Sequence, residues 1–458
     1  MEHHVGQQWY TPRCVPYPTV EGATNIMSKH TFRIIAALII FSLPTLSCTS
    51  YDIGRPIRTE DYRETIRIAC IGDSITYGYS IKNRIKDSYP DQLGRMLGEN
   101  WQVRNFGVSG ATLLKKGDLP YWDQQAFKDA LAYNPNVVII KLGTNDTKPQ
   151  NWKFKDQFAA DYADMIDRFI ELPSRPRIWI CKPVPAYGER WGISETIIKN
   201  EVIPLVNQIA HSKHVPVIDL YEPLSGKPEL FPDQIHPNAE GAHGIAKEIY
   251  AVLTGKTWTG EFKPTPLPQV LIIGDSISIG YFKPLQEKLK DIAIVIHNEG
   301  NAQHTAYGLK KLDQWLDDTK WDVIHFNFGL HDLKYIDEQG KNTSVETGKQ
   351  QIPIDQYVQN LDEIVKRLKK TGAKLIFATT TPVPDGTKIR VKGEAAIYNR
   401  VAIKVMKKHG VAINDLYSFA LPRLKEIQRQ SNVHFYPKGS EQLAEQCAKS
   451  IIKALEAQ

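Results

Sequence analysis

The chain has 458 residues, 24% of them charged and 42% hydrophobic, with 28 Pro, 30 Gly and five Cys. This composition excludes a disordered chain, collagen, a coiled coil and a multispan membrane protein, and the length suits two or three domains. The net charge of +6 is dispersed rather than gathered into the patch that nucleic acid requires. Cys14, Cys48, Cys70, Cys181 and Cys447 are too scattered for a disulfide framework, and no CxxC pair suggests zinc.

In chain order, residues 1–50 read as a leader and targeting segment. Lys29 and Arg33 follow Met27 and introduce the apolar run Ile34 to Leu43. That run is too short to cross a bilayer and suits the h-region of a secretory signal. Leu46-Ser47-Cys48 then resembles a bacterial lipoprotein signal, which implies a lipid on Cys48, although Thr45 stands where that signal usually has Leu. Ordinary signal cleavage nearby is the alternative. Met27 is a candidate true start. The expectation is an exported protein, periplasmic or on the cell surface, lipid-anchored and touching membrane only through Cys48.

Beyond residue 50 the sequence repeats itself. Ile71-Gly72-Asp73-Ser74-Ile75 recurs as Ile273-Gly274-Asp275-Ser276-Ile277, and Asn105-Phe106-Gly107 as Asn298-Glu299-Gly300. Leu142-Gly143-Thr144-Asn145-Asp146 recurs as Phe328-Gly329-Leu330-His331-Asp332, and Ile235-His236-Pro237-Asn238 as Val433-His434-Phe435-Tyr436. Four landmarks in one order at near-constant offset indicate duplicated domains. The expected division is 51–255, a Pro-rich, semi-rigid linker at 256–268, and 269–458.

Each half alternates short apolar runs with amphipathic stretches. Expected strands are Ile66–Ile71, Val137–Leu142, Ile178–Lys182 and Val215–Leu220, then Val270–Ile273, Ile292–Ile296, Val323–Phe328, Leu375–Thr380 and Val411–Asn414. Runs rich in Val and Ile followed by helical patterns predict α/β domains, each a parallel sheet within a three-layer α/β/α sandwich. Ligands of such sheets sit at the C-terminal strand ends, where all four landmarks fall.

The landmarks of the first half carry the chemistry of acyl transfer. Ser74 follows the first strand but needs a base to act as nucleophile. His236 supplies one, and Asp233, three residues upstream, is near enough to orient the imidazole. Gly110 offers an unobstructed amide and Asn145 a side-chain amide for an oxyanion hole. The alternatives are plain: Ser74 a helix cap, Asn145-Asp146 a turn, His236 a satisfied loop residue. Gly72 and Gly78 lack dinucleotide-binding spacing, and no Walker motif or metal-ligand spacing stands out, so no cofactor and no metal are expected.

Gly-Asp-Ser-Ile-Thr, Asn-Phe-Gly-Val-Ser-Gly, Gly-Thr-Asn-Asp and Asp-Gln-Ile-His, in that order, resemble the four blocks of the SGNH (GDSL-type) hydrolases. The resemblance implies tandem flavodoxin-like domains, with Ser74 as nucleophile, His236 as base and Asp233 as third triad member. It also implies an oxyanion hole of the Ser74 amide, Gly110 and Asn145. Export, the Lys182-Pro-Val-Pro185 strand end and the Asp233–His236 loop resemble bacterial carbohydrate O-acetylesterases, so the expected partner is an acetylated glycan or oligosaccharide and not nucleic acid. Trp122, Trp152 and Trp191 lie in loop-like stretches, where each is either a sugar platform or a core residue. Alternatives are a lipase or thioesterase of the same chemistry, or a glycan-binding surface lipoprotein with vestigial sites.

The second half keeps Ser276 and His434 but has Gln303 for Gly110, His331 for Asn145 and Ser431 for Asp233. With Ser431 there, nothing at that position fixes the imidazole tautomer. The second site is therefore expected to be either a weakened esterase with a different substrate fit or a degenerate copy.

Overall fold

A computed structural model describes residues 54–457. The expected signal, the candidate start at Met27, and Cys14 and Cys48 lie outside the described residues.

In the first half, β1 (Ile66–Gly72), β2 (Trp101–Gly107), β3 (Val137–Lys141), β4 (Arg177–Cys181) and β5 (Val217–Ile218) form a parallel sheet in the order β2-β1-β3-β4-β5. The second half has β6 (Gln269–Ile273), β7 (Ile294–His297) and β8 (Val323–Phe326), then a small antiparallel pair, β9 (Tyr335–Ile336) with β10 (Lys349–Gln350). β11 (Lys374–Ala378) and β12 (Ala412–Asn414) complete a second parallel sheet, β12-β11-β8-β6-β7. Both follow the doubly wound order in which the chain leaves the first strand to one side and returns to the other, opening a crevice at the strand ends.

The central strands are apolar on both faces because helices cover both. Ile68, Cys70, Val137 and Ile139 pack with the helices Tyr89–Leu97 and Ala239–Thr254. Ala69, Ile71, Val138 and Ile140 pack with Gln125–Tyr133, Phe158–Ile170 and Ile203–Lys213. Fully burying each such Val or Ile side chain is worth about 1.5–3 kcal/mol, so the three-layer arrangement follows directly from the unbroken apolar runs.

Three features depart from the sequence expectation. β2 is absent from the expected strands, because at the sheet edge Arg104 is exposed and Gln102 half-buried, breaking the apolar run. The β9–β10 hairpin was not expected either, its strands being only two residues long and partly polar. The third is the linker. Asn83 Nδ2 donates to the carbonyls of Thr265 (3.2 Å) and Pro266 (2.8 Å), and Asp87 accepts from the Thr265 amide (3.0 Å) and hydroxyl (2.7 Å). It is a fastened strap, because the buried polar groups of Asn83 and Asp87 require partners and its carbonyls, amide and Thr265 hydroxyl provide them.

Candidate active site

Ser74 opens the short helix Ser74–Tyr77, and the cap of that helix is Asp73, whose Oδ1 accepts from the Ile75 amide at 2.9 Å. Asp73 is itself fixed from below by Lys141 Nζ at 3.0 and 3.1 Å, with both side chains wholly buried. Since Asp73 does the capping, the Ser74 hydroxyl is free, and it lies 2.8 Å from His236 Nε2.

The other ring nitrogen, His236 Nδ1, is 2.8 Å from Asp233 Oδ2. Asp233 Oδ1 accepts from the amides of Ile235 (3.0 Å) and His236 (2.7 Å), so the loop clamps its own carboxylate. Burial raises the Asp233 pKa, but these amide bonds and the His236 ring outweigh it and hold the group below the usual carboxylate range. An ionised Asp233 requires the proton on Nδ1, which leaves Nε2 to accept from Ser74.

Gly110 lies in the turn after β2 at φ +84°, a conformation few side chains tolerate. Asn145 is buried in a 3₁₀ turn after β3, and its Nδ2 donates to the carbonyl of Ala111, next to Gly110, at 3.2 Å. Asp146 ties the same two loops together by accepting from the amides of Leu113 (3.1 Å) and Leu114 (2.8 Å). Burial pushes its carboxyl up to about 7 against those bonds. Asn145-Asp146 is thus a turn, as one reading had it, and also a brace between the loops bearing both candidate oxyanion donors.

Among the three tryptophans, Trp191 alone stands beside the triad. It is 50% exposed, 5.3 Å from the His236 ring between centroids, and holds φ +55°. Tyr79, also exposed, lies 4.6 Å from the same ring. Trp152 is buried, donating to Glu201, and Trp122 packs on Phe127 while donating to the Leu113 carbonyl. Trp152 belongs to a buried core cluster and Trp122 packs against the same cluster, away from the triad.

In the second half Asp275 again caps the helix, accepting from Ile277 at 2.9 Å, and Ser276 Oγ is 2.9 Å from His434 Nε2. The ring is not left unoriented. Asn432 Oδ1 lies 2.7 Å from His434 Nδ1 and accepts the His434 amide at 2.9 Å. Ser431 is exposed and at φ +52°. The orienting residue has moved one place along the loop, an amide fixing the tautomer without supplying charge. Gln303 keeps the left-handed conformation of Gly110, at φ +52°. His331 is held neutral, its pKa pushed down to about 3 chiefly by burial and further by Lys334 and Arg390. Ser276, His434, Arg429, Ser440 and Glu441 line a cleft of about 510 Å³.

A family model described as GDSL-like lipase/acylhydrolase matches twice, over residues 70–243 and 272–442. The chain belongs to that family. A curated acetylxylan esterase from Xylanibacter ruminicola is 40% identical over 208 residues, covering 42% of this chain and 43% of the relative. The alignment therefore spans less than half the length of that relative. Among solved structures, a carbohydrate acetylesterase from Sinorhizobium meliloti is 21% identical, covering 41% of this chain and 99% of its own, with a TM-score of 0.35. An acetyl xylan esterase is 18% identical, covering 40% and 99%, with a TM-score of 0.34.

Lys141, Asn432 and Tyr79 of this GDSL protein stand at the two sites without being among the residues expected from the sequence. Lys141 had a signal, a charge closing the unbroken apolar run of a central strand, where a cation needs a buried partner. Tyr79 and Asn432 had none beyond their closeness to Ser74 and His434.

Proposed function

We propose that the protein is a carbohydrate esterase that removes acetyl groups through an acyl-serine intermediate formed on Ser74. The observation that carries this reading is the relay of two 2.8 Å contacts from Asp233 through His236 to Ser74. The sequence similarity to an acetylxylan esterase supports the substrate class.

In this mechanism Ser74 Oγ attacks the ester carbonyl while His236 Nε2 takes its proton. The negative charge that develops on the carbonyl oxygen is met by the amides of Ser74 and Gly110 and by Asn145 Nδ2, donors already in place before reaction. Collapse expels the sugar oxygen, which takes the proton from the imidazolium and leaves as a hydroxyl. Water, deprotonated by His236, then attacks the acyl-serine, and the imidazolium returns that proton to Ser74 Oγ as acetate is released. Asp233 stabilises the imidazolium throughout.

Trp191 and Tyr79 would flank the sugar. An exposed indole in a left-handed conformation is a cost that a role at the site explains. The reading also has the protein act outside the cytoplasm, on the strength of the signal-like run Ile34 to Leu43.

The test is acetate release from acetylated polysaccharides by the full chain. Ser74→Ala and His236→Ala are each expected to lower kcat by several orders of magnitude. Trp191→Ala is expected to raise KM for polysaccharide while sparing a small chromogenic acetate. Undiminished release by Ser74→Ala contradicts the reading.

A further inference from the structure

The second half carries a cation where the first carries an aromatic ring. Counted from the shared Pro-Val-Pro at 183–185 and 382–384, Trp191 falls at the position of Arg390. Arg390 is half-buried, and its Nε donates to the Leu330 carbonyl at 2.7 Å, which lays it along the strand-end loop that bears His331. Lys334, also half-buried, follows on the same loop.

The setting of these cations is fixed by the β9–β10 insertion, which has no counterpart after Asn145. The Tyr335 amide donates to the carbonyl of Ile389, the residue before Arg390, at 2.9 Å, and the Tyr335 hydroxyl donates to Glu394 at 3.0 Å. Among the described residues neither Arg390 nor Lys334 forms an ion pair. Burial lowers the pKa of both, and Arg390 lowers Lys334 further. Asp275 attracts Arg390 from a distance but is sealed beneath Ser276, capping its helix. Two neighbouring, half-desolvated cations that form no ion pair among the described residues oppose folding, and a ligand anion would relieve them. The neighbouring imidazoles His331 and His304 both have their pKa values lowered, mainly by burial, and compete for no anion. Arg429 and Glu441 line the cleft that holds Ser276 and His434.

We propose that the Ser276–His434 site takes esters bearing a carboxylate close to the scissile bond, with Arg390 and Lys334 holding that carboxylate. This rests on the reading of the chain as an ester hydrolase, and it separates the two sites by chemistry, an aromatic rim in the first and a cationic rim in the second. The carboxylate belongs either to the sugar, as in an acetylated uronate, or to the acyl group, as in a half-ester of a dicarboxylic acid.

The experiment uses the full chain carrying Ser74→Ala, so that turnover reports the second site, with Ser276→Ala added as its control. Acetylated methyl glucoside, acetylated methyl glucuronide and succinylated methyl glucoside are compared. The expected result is a kcat/KM roughly tenfold or more higher for one of the two anionic esters than for the neutral one, reduced by salt and by Arg390→Gln or Lys334→Gln. Preference for the glucuronide assigns the carboxylate to the sugar, and preference for the succinate assigns it to the acyl group. Lys334→Gln removes a side chain that makes no hydrogen bond among the described residues and so guards against misfolding. Binding is read in parallel by titrating the doubly substituted chain with methyl glucuronide, succinate and methyl glucoside. Equal kcat/KM for neutral and anionic esters overturns the proposal, as does, in a chain that turns over none of them, no preference for either anion over the glucoside. Failure of the parent reading is distinct, since it would show as undiminished release of neutral acetate by Ser74→Ala.

Discussion

Asp233 and Asn432 hold the same post behind a histidine, and only one of them is charged. An amide can accept from Nδ1 and fix the tautomer, but it cannot stabilise the imidazolium that forms as the serine attacks. Asp233→Asn should therefore lower the first site's kcat by about 10³–10⁴. Asn432→Asp in a Ser74→Ala background should raise the second site's rate. Steady-state kinetics on a small acetyl ester checks both, and a loss under tenfold in the first would deny the carboxylate its role. The pH dependence of the second site follows from its surroundings. Burial lowers the His434 pKa, and Arg429 and Arg390 lower it further. A base must be neutral to act, so a lowered pKa keeps it competent to a lower pH. Turnover by the Ser74→Ala chain should thus persist below the pH at which an ordinary imidazole, with a pKa of ~6.5, is half protonated, and loss of activity on acidification that is already half complete above that pH would contradict this. Ser74, His236 and Asp233 were legible in the sequence because the chemistry confines them to short, ordered blocks. Asn432 was not, because counting at constant offset puts Ser431 opposite Asp233. The left-handed residue stands two places before His236, at Gln234, but three before His434, at Ser431. That one-residue shift in the loop is invisible to spacing alone.

At the level of elements, β1 and β3 were plain from their apolar runs, whereas β2 was hidden by its exposed edge. The pairing beneath the nucleophile was hidden for another reason. Lys141 and Asp73 are far apart in sequence and meet only because β1 and β3 are neighbours, with Gly72 opposite Lys141 in the register. The second half lacks this pair, Asn327 standing there and donating instead to the Ala378 carbonyl at 2.7 Å. Lys141→Met should leave Asp73 buried without its partner and cost about 3–5 kcal/mol of stability. Chemical denaturation of the full chain measures this, and a change below 1 kcal/mol would mean that the Asp73 cap does not depend on the lysine.

Across the whole described chain the duplication was legible in four blocks, but the fastening of the halves was not. Ile85, from the first half, is buried within the core of the second. The Asn83 amide donates to the Asp291 carbonyl at 2.6 Å, and Arg84 lies 3.4 Å from Glu456. Such contacts depend on how two finished surfaces meet, which local pattern does not encode. They also argue for testing each site by substitution in the intact chain, since separating the halves would expose Ile85. Ile85→Asp, which places an unpaired charge in that core, should split a single calorimetric unfolding transition into two. An unchanged single transition would show that this contact does not couple the halves.

The central claim is that His236, oriented by Asp233, makes Ser74 a nucleophile. It is tested most directly by treating the full chain with an organophosphate ester and locating the adduct by peptide mass spectrometry. The account predicts a phosphorylated Ser74 together with loss of acetyl-ester turnover, and no label on Ser74 in the His236→Ala variant. Loss of turnover with Ser74 unmodified, or equal labelling of Ser74 without His236, would contradict it.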